Sequence, residues 1–209
     1  VLAYAYGLSD EGRERTKGDS RGVVALMETQ RVTRDIAQAR VDGANIVVVL
    51  PHWGTKNRAQ TPDTVQTMAR EMAQAGADVI LGTHPNVAQG IERLQTVRSD
   101  GLTYETVVCY SLGCLLTDAR DSENTAGMAV RLEMTYDPAV RRVWPGTLEV
   151  TPLYIARQRE DSGIVYRVVN AQDEQALEKL TLSIKNQSIH IKNCNFWNVH
   201  NKILLSIWL

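Results

Sequence analysis

The chain of 209 residues lacks most of the features that announce a specialised class of protein. Its three cysteines, Cys109, Cys114 and Cys194, cannot make a disulfide framework, and none belongs to a CxxC pair. Cys109 and Cys114 read as small buried hydrophobes, and a bridge between them is allowed by count alone. No apolar run approaches the roughly 18 residues of a membrane span; Ile46 to Leu50 has five. Neither charge is in excess: Lys+Arg 23 against Asp+Glu 24 gives a net −1, which argues against a nucleic-acid binder built on a basic face. No basic stretch leads into an apolar segment at the start, so no signal peptide is visible, and Val1 reads as the cut edge of something longer. The residues that are present, 44% hydrophobic and 22% charged, suit a soluble globular protein with one ordinary domain.

The vocabulary of the chain changes once. Residues 1–184 hold every acid and every arginine, 20 basic against 24 acidic side chains in all. Residues 185–209 hold three lysines, five asparagines, no acid and no arginine. That segment, with His190, His200, Phe196, Trp197 and Trp208, shows no apolar face of period 2 or 3.6. It reads as a compositionally foreign, weakly packed tail rather than as a basic, aromatic docking arm.

Before the tail, helix and strand alternate. Ala25 to Asp42 carries Leu26, Val32, Ile36 and Ala39 as a helical stripe and stops at Gly43. Ile46 to Leu50 is a short β-branched run of the kind found in buried parallel strands. Thr61-Pro62 opens a second helix, the hydroxyl as cap and the proline at its first position. Val65, Met68, Ala69, Met72 and Ala73 form its apolar face, and Gly76 ends it. Val79 to Leu81 is the next strand. Strands then dominate, at Thr106 to Tyr110, Gly127 to Tyr136, Val140 to Val150 and Ile164 to Val169, before a last short helix from Gln172 to Leu182. This order predicts a mixed sheet with helices packed on it.

Two segments echo each other. Gly43-Ala44-Asn45 leads into a strand that runs out at Pro51-His52-Trp53-Gly54, and Gly76-Ala77-Asp78 into one that runs out at Gly82-Thr83-His84-Pro85. If the strands are parallel neighbours, His52 and His84 emerge at one carboxyl-end edge, where open α/β sheets place their ligands. Neutral imidazole suits a divalent transition metal and also acid–base work near neutral pH. Gly54 and Gly82 permit close approach of the backbone, and Pro51 and Pro85 stiffen the loops. Ser111 lacks the Gly-x-Ser-x-Gly elbow of a nucleophile.

The strings Pro51-His52-Trp53-Gly54-Thr55, Gly76 through Pro85, and Tyr110-Ser111-Leu112-Gly113 resemble the CapA family. These are capsule and poly-γ-glutamate synthesis proteins on the calcineurin-like metallophosphoesterase fold. The resemblance implies an α/β fold, part of a two-sheet sandwich with flanking helices in four layers (α-β-β-α). Residues 1–184 would be its C-terminal portion, with the N-terminal half absent. It implies His52 and His84 as catalytic residues and metal ligands, and Asn86 as a weaker ligand where the family has a second histidine. Trp53, Gly54, Lys56, Pro85, Ser111 and Cys114 would line the site. Lys56-Asn57 replaces the family's Glu-Tyr and Cys114-Leu115 its Asn-Phe. A divalent metal (Mn, Fe or Zn) is therefore expected from the family but weak or absent in this chain.

The function so implied is synthesis or export of an anionic capsule polymer at the bacterial cell envelope, outside the cytoplasm, with metal-dependent hydrolysis of a phosphoester-type bond. The alternatives are a non-catalytic scaffold with a degenerate site and an inactive truncated product. The implied partners are an anionic polymer or phosphoester substrate and a membrane polymer-synthase complex, with no nucleic acid and no membrane span in the chain itself.

Overall fold

The computed structural model describes residues 1–7, 24–118 and 122–177. The tail from 185 and most of the last helix lie outside them; helical turns are seen at residues 174–177. The elements are β1 (Leu2–Ala5), α1 (Thr29–Val41), β2 (Val48–His52), α2 (Asp63–Ala75), β3 (Val79–Leu81), β4 (Ile91–Val97), β5 (Thr103–Cys109), β6 (Ala126–Asp137), β7 (Arg142–Glu160) and β8 (Gly163–Asn170), with a 3-10 turn at Ser122–Thr125.

A five-stranded sheet has the order β1-β2-β3-β5-β4. Its first four strands are parallel, and β4 is antiparallel to β5 at the edge. The helices connect parallel neighbours, as the alternation of patterns required. Val65, Ala69, Met72 and Ala73 of α2 are buried, with Val32 and Ile36 of α1. They pack against Val47, Val49, Ile80, Val108 and Leu94 to form the larger core. Period-2 alternation turns Val107 and Cys109 to the opposite face of β5. There they meet Ile91, Ala88 and Met128, with Val130, Leu132, Leu148 and Val150 of a three-stranded antiparallel sheet, β6-β7-β8, packed alongside. The described layers are therefore helix, sheet, sheet in a mixed α/β fold. No helix among the described residues is long and apolar enough to cross a membrane.

Three local readings need correction. Helix α1 starts at Thr29, not Ala25, because residues 25–27 pair with β1: Ala5 N–H donates to Ala25 O (2.9 Å) and Met27 N–H to Ala5 O (2.9 Å). Pro62 is the residue before α2 rather than its first, and Thr61 does not cap it, since its hydroxyl turns to Gln89 Oε1 (3.3 Å). The strand read as Val140 to Val150 is β7, Arg142–Glu160, which runs through Pro145 and Pro152 for 19 residues. Pro145 stands opposite Met134, where the register shifts, and bulges are where a strand tolerates proline.

Candidate functional site

At the carboxyl ends of the parallel strands the ladder continues beyond its named limits. His52 bridges Thr83, Trp53 N–H donates to Thr83 O (3.1 Å), and Thr83 N–H donates to Pro51 O (2.9 Å). This sets His52 and His84 side by side, ring centroids 4.5 Å apart and planes inclined at 51°. The two histidines do leave the sheet on one side, and the open edge around their adjacent rings is the candidate pocket. Tyr6 joins the same edge, its N–H donating to His52 O (3.0 Å).

The surrounding loops are braced against one another. Asn57 N–H donates to Pro85 O (2.8 Å), and Cys114 Sγ to Asn86 O (3.4 Å). Asn57 (φ 59°), His84 (φ 102°) and Asn86 (φ 62°) all have left-handed backbone. For histidine that conformation is strained, by order ~1–3 kcal/mol, and persists only where the surroundings fix it. Below the pocket Trp53 is fully buried and donates from Nε1 to Tyr110 O (2.9 Å). Gly82 lies between these groups: a Cβ there would sit 2.1 Å from Tyr110 O and 2.4 Å from the indole nitrogen.

Burial, then the neighbouring His52 and Lys56, hold the His84 pKa below the ordinary 6.5. Burial raises the Cys114 thiol pKa, which Lys56 partly offsets. The unfolded chain therefore takes up the His84 proton first. This group's contribution to stability is full above about 6.5 and declines as pH falls toward the lower folded value. Replacing Lys56 with alanine should move the His84 midpoint upward, toward 6.5, as followed by the NMR shifts of its ring protons. An unmoved midpoint would separate Lys56 from the pocket.

The residues singled out in the sequence divide into two groups. His52 and Lys56 are exposed, and His84, Asn86, Gly54 and Cys114 are half-buried; these stand at or beside the pocket. Trp53, Pro85 and Ser111 are buried and act from beneath, Ser111 accepting from Gly113 N–H at Oγ (3.2 Å). Gln89 was not anticipated. Buried, it donates from Nε2 to Arg58 O (2.8 Å) and from its backbone to Ser111 O (3.0 Å), tying three loops together. Nothing in its sequence neighbourhood signals that role. Thr83, whose hydroxyl lies 3.5 Å from His52 Nδ1, was legible only as part of the Gly-Thr-His string.

Two imidazoles would suit a transition metal, but zinc normally takes three or four protein donors. Among the described residues no three His, Cys, Asp or Glu side chains come together. Cys114 is held as the thiol, and the remaining charged neighbour, Lys56, is a cation. The described residues do not by themselves fit a closed divalent-metal centre.

A mixed α/β sheet with paired histidines at its carboxyl edge defines the class, and comparison with known proteins gives the family. The matching family model is the bacterial capsule synthesis protein PGA_cap, over residues 1–119, which include both helices, the five-stranded sheet and both His52 and His84. The chain belongs to that family. It is 33% identical over 112 residues to the PGA biosynthesis protein CapA of Bacillus subtilis (strain 168), covering 54% of this chain and 26% of that protein. It is 35% identical over 75 residues to the capsule biosynthesis protein CapA of Bacillus anthracis, covering 36% of this chain and 16% of that one. The chain thus matches only about a quarter or less of each relative's length.

Proposed function

We propose that the chain acts in the synthesis or export of a capsule polymer of the poly-γ-glutamate kind at the bacterial cell envelope, outside the cytoplasm, and that the His52–His84 pocket is where it meets the polymer. The observation that carries this reading is the imidazole pair, 4.5 Å apart at the open end of a sheet, in a member of a capsule-synthesis family. A polymer of γ-linked glutamate bears one free carboxylate per residue, and His52, His84 and Lys56 can each donate to one.

Two modes of action are distinct. The donor set favours a non-catalytic role within a polymer-synthase complex, because Lys56 and a protonated Cys114 stand where a metal centre would need anionic ligands. The imidazole pair favours the other mode, hydrolysis of a phosphoester-type bond on a metallophosphoesterase sandwich. In that mode His52, His84 and Asn86 would supply part of the ligand set for Mn, Fe or Zn, and carboxylates from outside the described residues the rest.

The test is genetic. Cells whose gene carries His52→Ala with His84→Ala should make no more capsule polymer than cells with the gene deleted, at equal protein abundance. Wild-type polymer output from that variant would refute the reading. Polymer or phosphoester cleavage by the wild-type protein with added Mn²⁺, lost in the double variant, would select the hydrolytic mode.

A further inference from the structure

Among the described residues the histidine edge gathers donors and no carboxylate. Among the described residues the charges that act on His84 are those of His52 and Lys56, and no carboxylate is among them. The Asn57–Pro85 hydrogen bond holds the turn that carries Lys56 against the loop that carries His84. Lys56 is exposed and, among the described residues, has no carboxylate within ion-pair distance.

The opposite end of the sheet is built differently. A polar cavity of about 410 Å³ there is flanked by Arg40, Arg98 and Asp78. Arg141 also lines it, and the guanidinium groups of Arg40 and Arg98 are consumed internally. Arg40 donates to Asp78 and to the carbonyls of Ala44, Asn45 and Gly76, and Arg98 to Asp78 and to the carbonyls of Ala73 and Ala77. The histidine end instead presents Lys56 beside two imidazoles.

We propose that Lys56, with the imidazoles of His52 and His84, forms an oxyanion-docking site that takes the carboxylates of the capsule polymer. The identity of the ligand rests on the polymer reading above; the donor arrangement does not. A carboxylate has two oxygens, which accept from an ammonium and from imidazole N–H groups together, and charge-assisted hydrogen bonds of this kind are roughly twice as strong as neutral ones. A single carboxylate binds such an open pocket weakly. A polymer offers the next one at high effective concentration as soon as the first leaves. Lys56 is then the residue that sets the sign of the ligand.

Isothermal titration of the full chain decides this with three probes: a poly-γ-glutamate oligomer, its uncharged poly-γ-glutamine counterpart, and inorganic phosphate. The acidic oligomer should bind, more weakly as salt is raised, and the amide oligomer should not. Lys56→Ala should weaken binding about tenfold, the scale of one charge-assisted hydrogen bond, while Lys56→Arg retains it. His52→Ala with His84→Ala should weaken it at least as much. Circular dichroism of each variant checks that the fold is intact, which the exposure of Lys56 favours. Binding of the acidic oligomer that ignores all three residues would overturn the docking site and leave the polymer reading standing. Lys56-dependent binding of phosphate without the oligomer would keep the oxyanion site and overturn the polymer as its ligand. No anion binding at all would overturn the proposal outright.

Discussion

Replacing Asp78 with alanine is expected to remove about 3–5 kcal/mol of stability, the cost of breaking a buried ion pair from one side. Asp78 is 2% exposed and holds Arg40 through Oδ2 and Arg98 through Oδ1 (3.2 Å), while Oδ2 also accepts from Val47 N–H (2.8 Å). It joins the ends of α1 and α2 to the start of β3 and the end of β4. Without it two guanidinium groups lose their charged partner and the Val47 amide its acceptor, in surroundings that already lower the Arg98 pKa by burial. Domains of this size hold only about 5–15 kcal/mol in total, so a large share would go. Urea denaturation measures it, and Asp78→Asn, which keeps an acceptor for Val47, should fall between the two. Arg98→Met in the alanine background should recover part of the loss. A shift below about 1 kcal/mol for Asp78→Ala would mean the arginines find other acceptors without strain.

The Gly82→Ala substitution should be nearly as damaging, for a steric reason. The new methyl would meet Tyr110 O at 2.1 Å and Trp53 Nε1 at 2.4 Å, atoms already bonded to each other. Neither can yield easily: one is backbone next to β5, the other a fully buried indole. Overpacking of a tight core costs about 1–3 kcal/mol and occasionally more, and here the lost Trp53–Tyr110 hydrogen bond adds to it. Gly90→Ala is the control, since nothing lies within 4 Å of its Cβ position. Thermal unfolding of the two variants should separate them clearly. Equal midpoints would show that the Trp53 side of the pocket is softer than its packing implies.

The sequence was most legible where apolar spacing and chain geometry agree. The α2 face was read residue by residue, and four of its five positions, Val65, Ala69, Met72 and Ala73, are fully buried. The parallel pairing of β2 with β3, and with it the meeting of His52 and His84, came from the repeated Gly-Ala-strand-His order. Legibility failed where partners distant in sequence decide. Leu26 fits the helical stripe, yet it bridges Ala5, an alternative no local pattern shows. Thr61 has the chemistry of a cap, but Gln89 takes its hydroxyl. The strand read as Val140 to Val150 runs on to Glu160 through Pro152, because its pairing with β6 and β8 continues there. In the site itself, Trp53 and Ser111 were chosen as lining and are buried supports, because a motif gives residue types without saying which side faces the ligand.

Strand β3 separates two kinds of chemistry. From Asp78 to Gly82 is roughly 13 Å of extended chain, with the ion-pair knot at one end and the open imidazoles at the other. The two ends share a strand but no hydrogen-bond partner among the described residues. Energetic effects at sites so far apart are largely independent. The arginine knot secures the fold without involving the pocket, and the pocket's exposed donors can be exchanged without drawing on what the knot secures. A change of ligand preference at Lys56 is therefore cheap for this scaffold, whereas a change at Asp78 alters whether there is a scaffold at all.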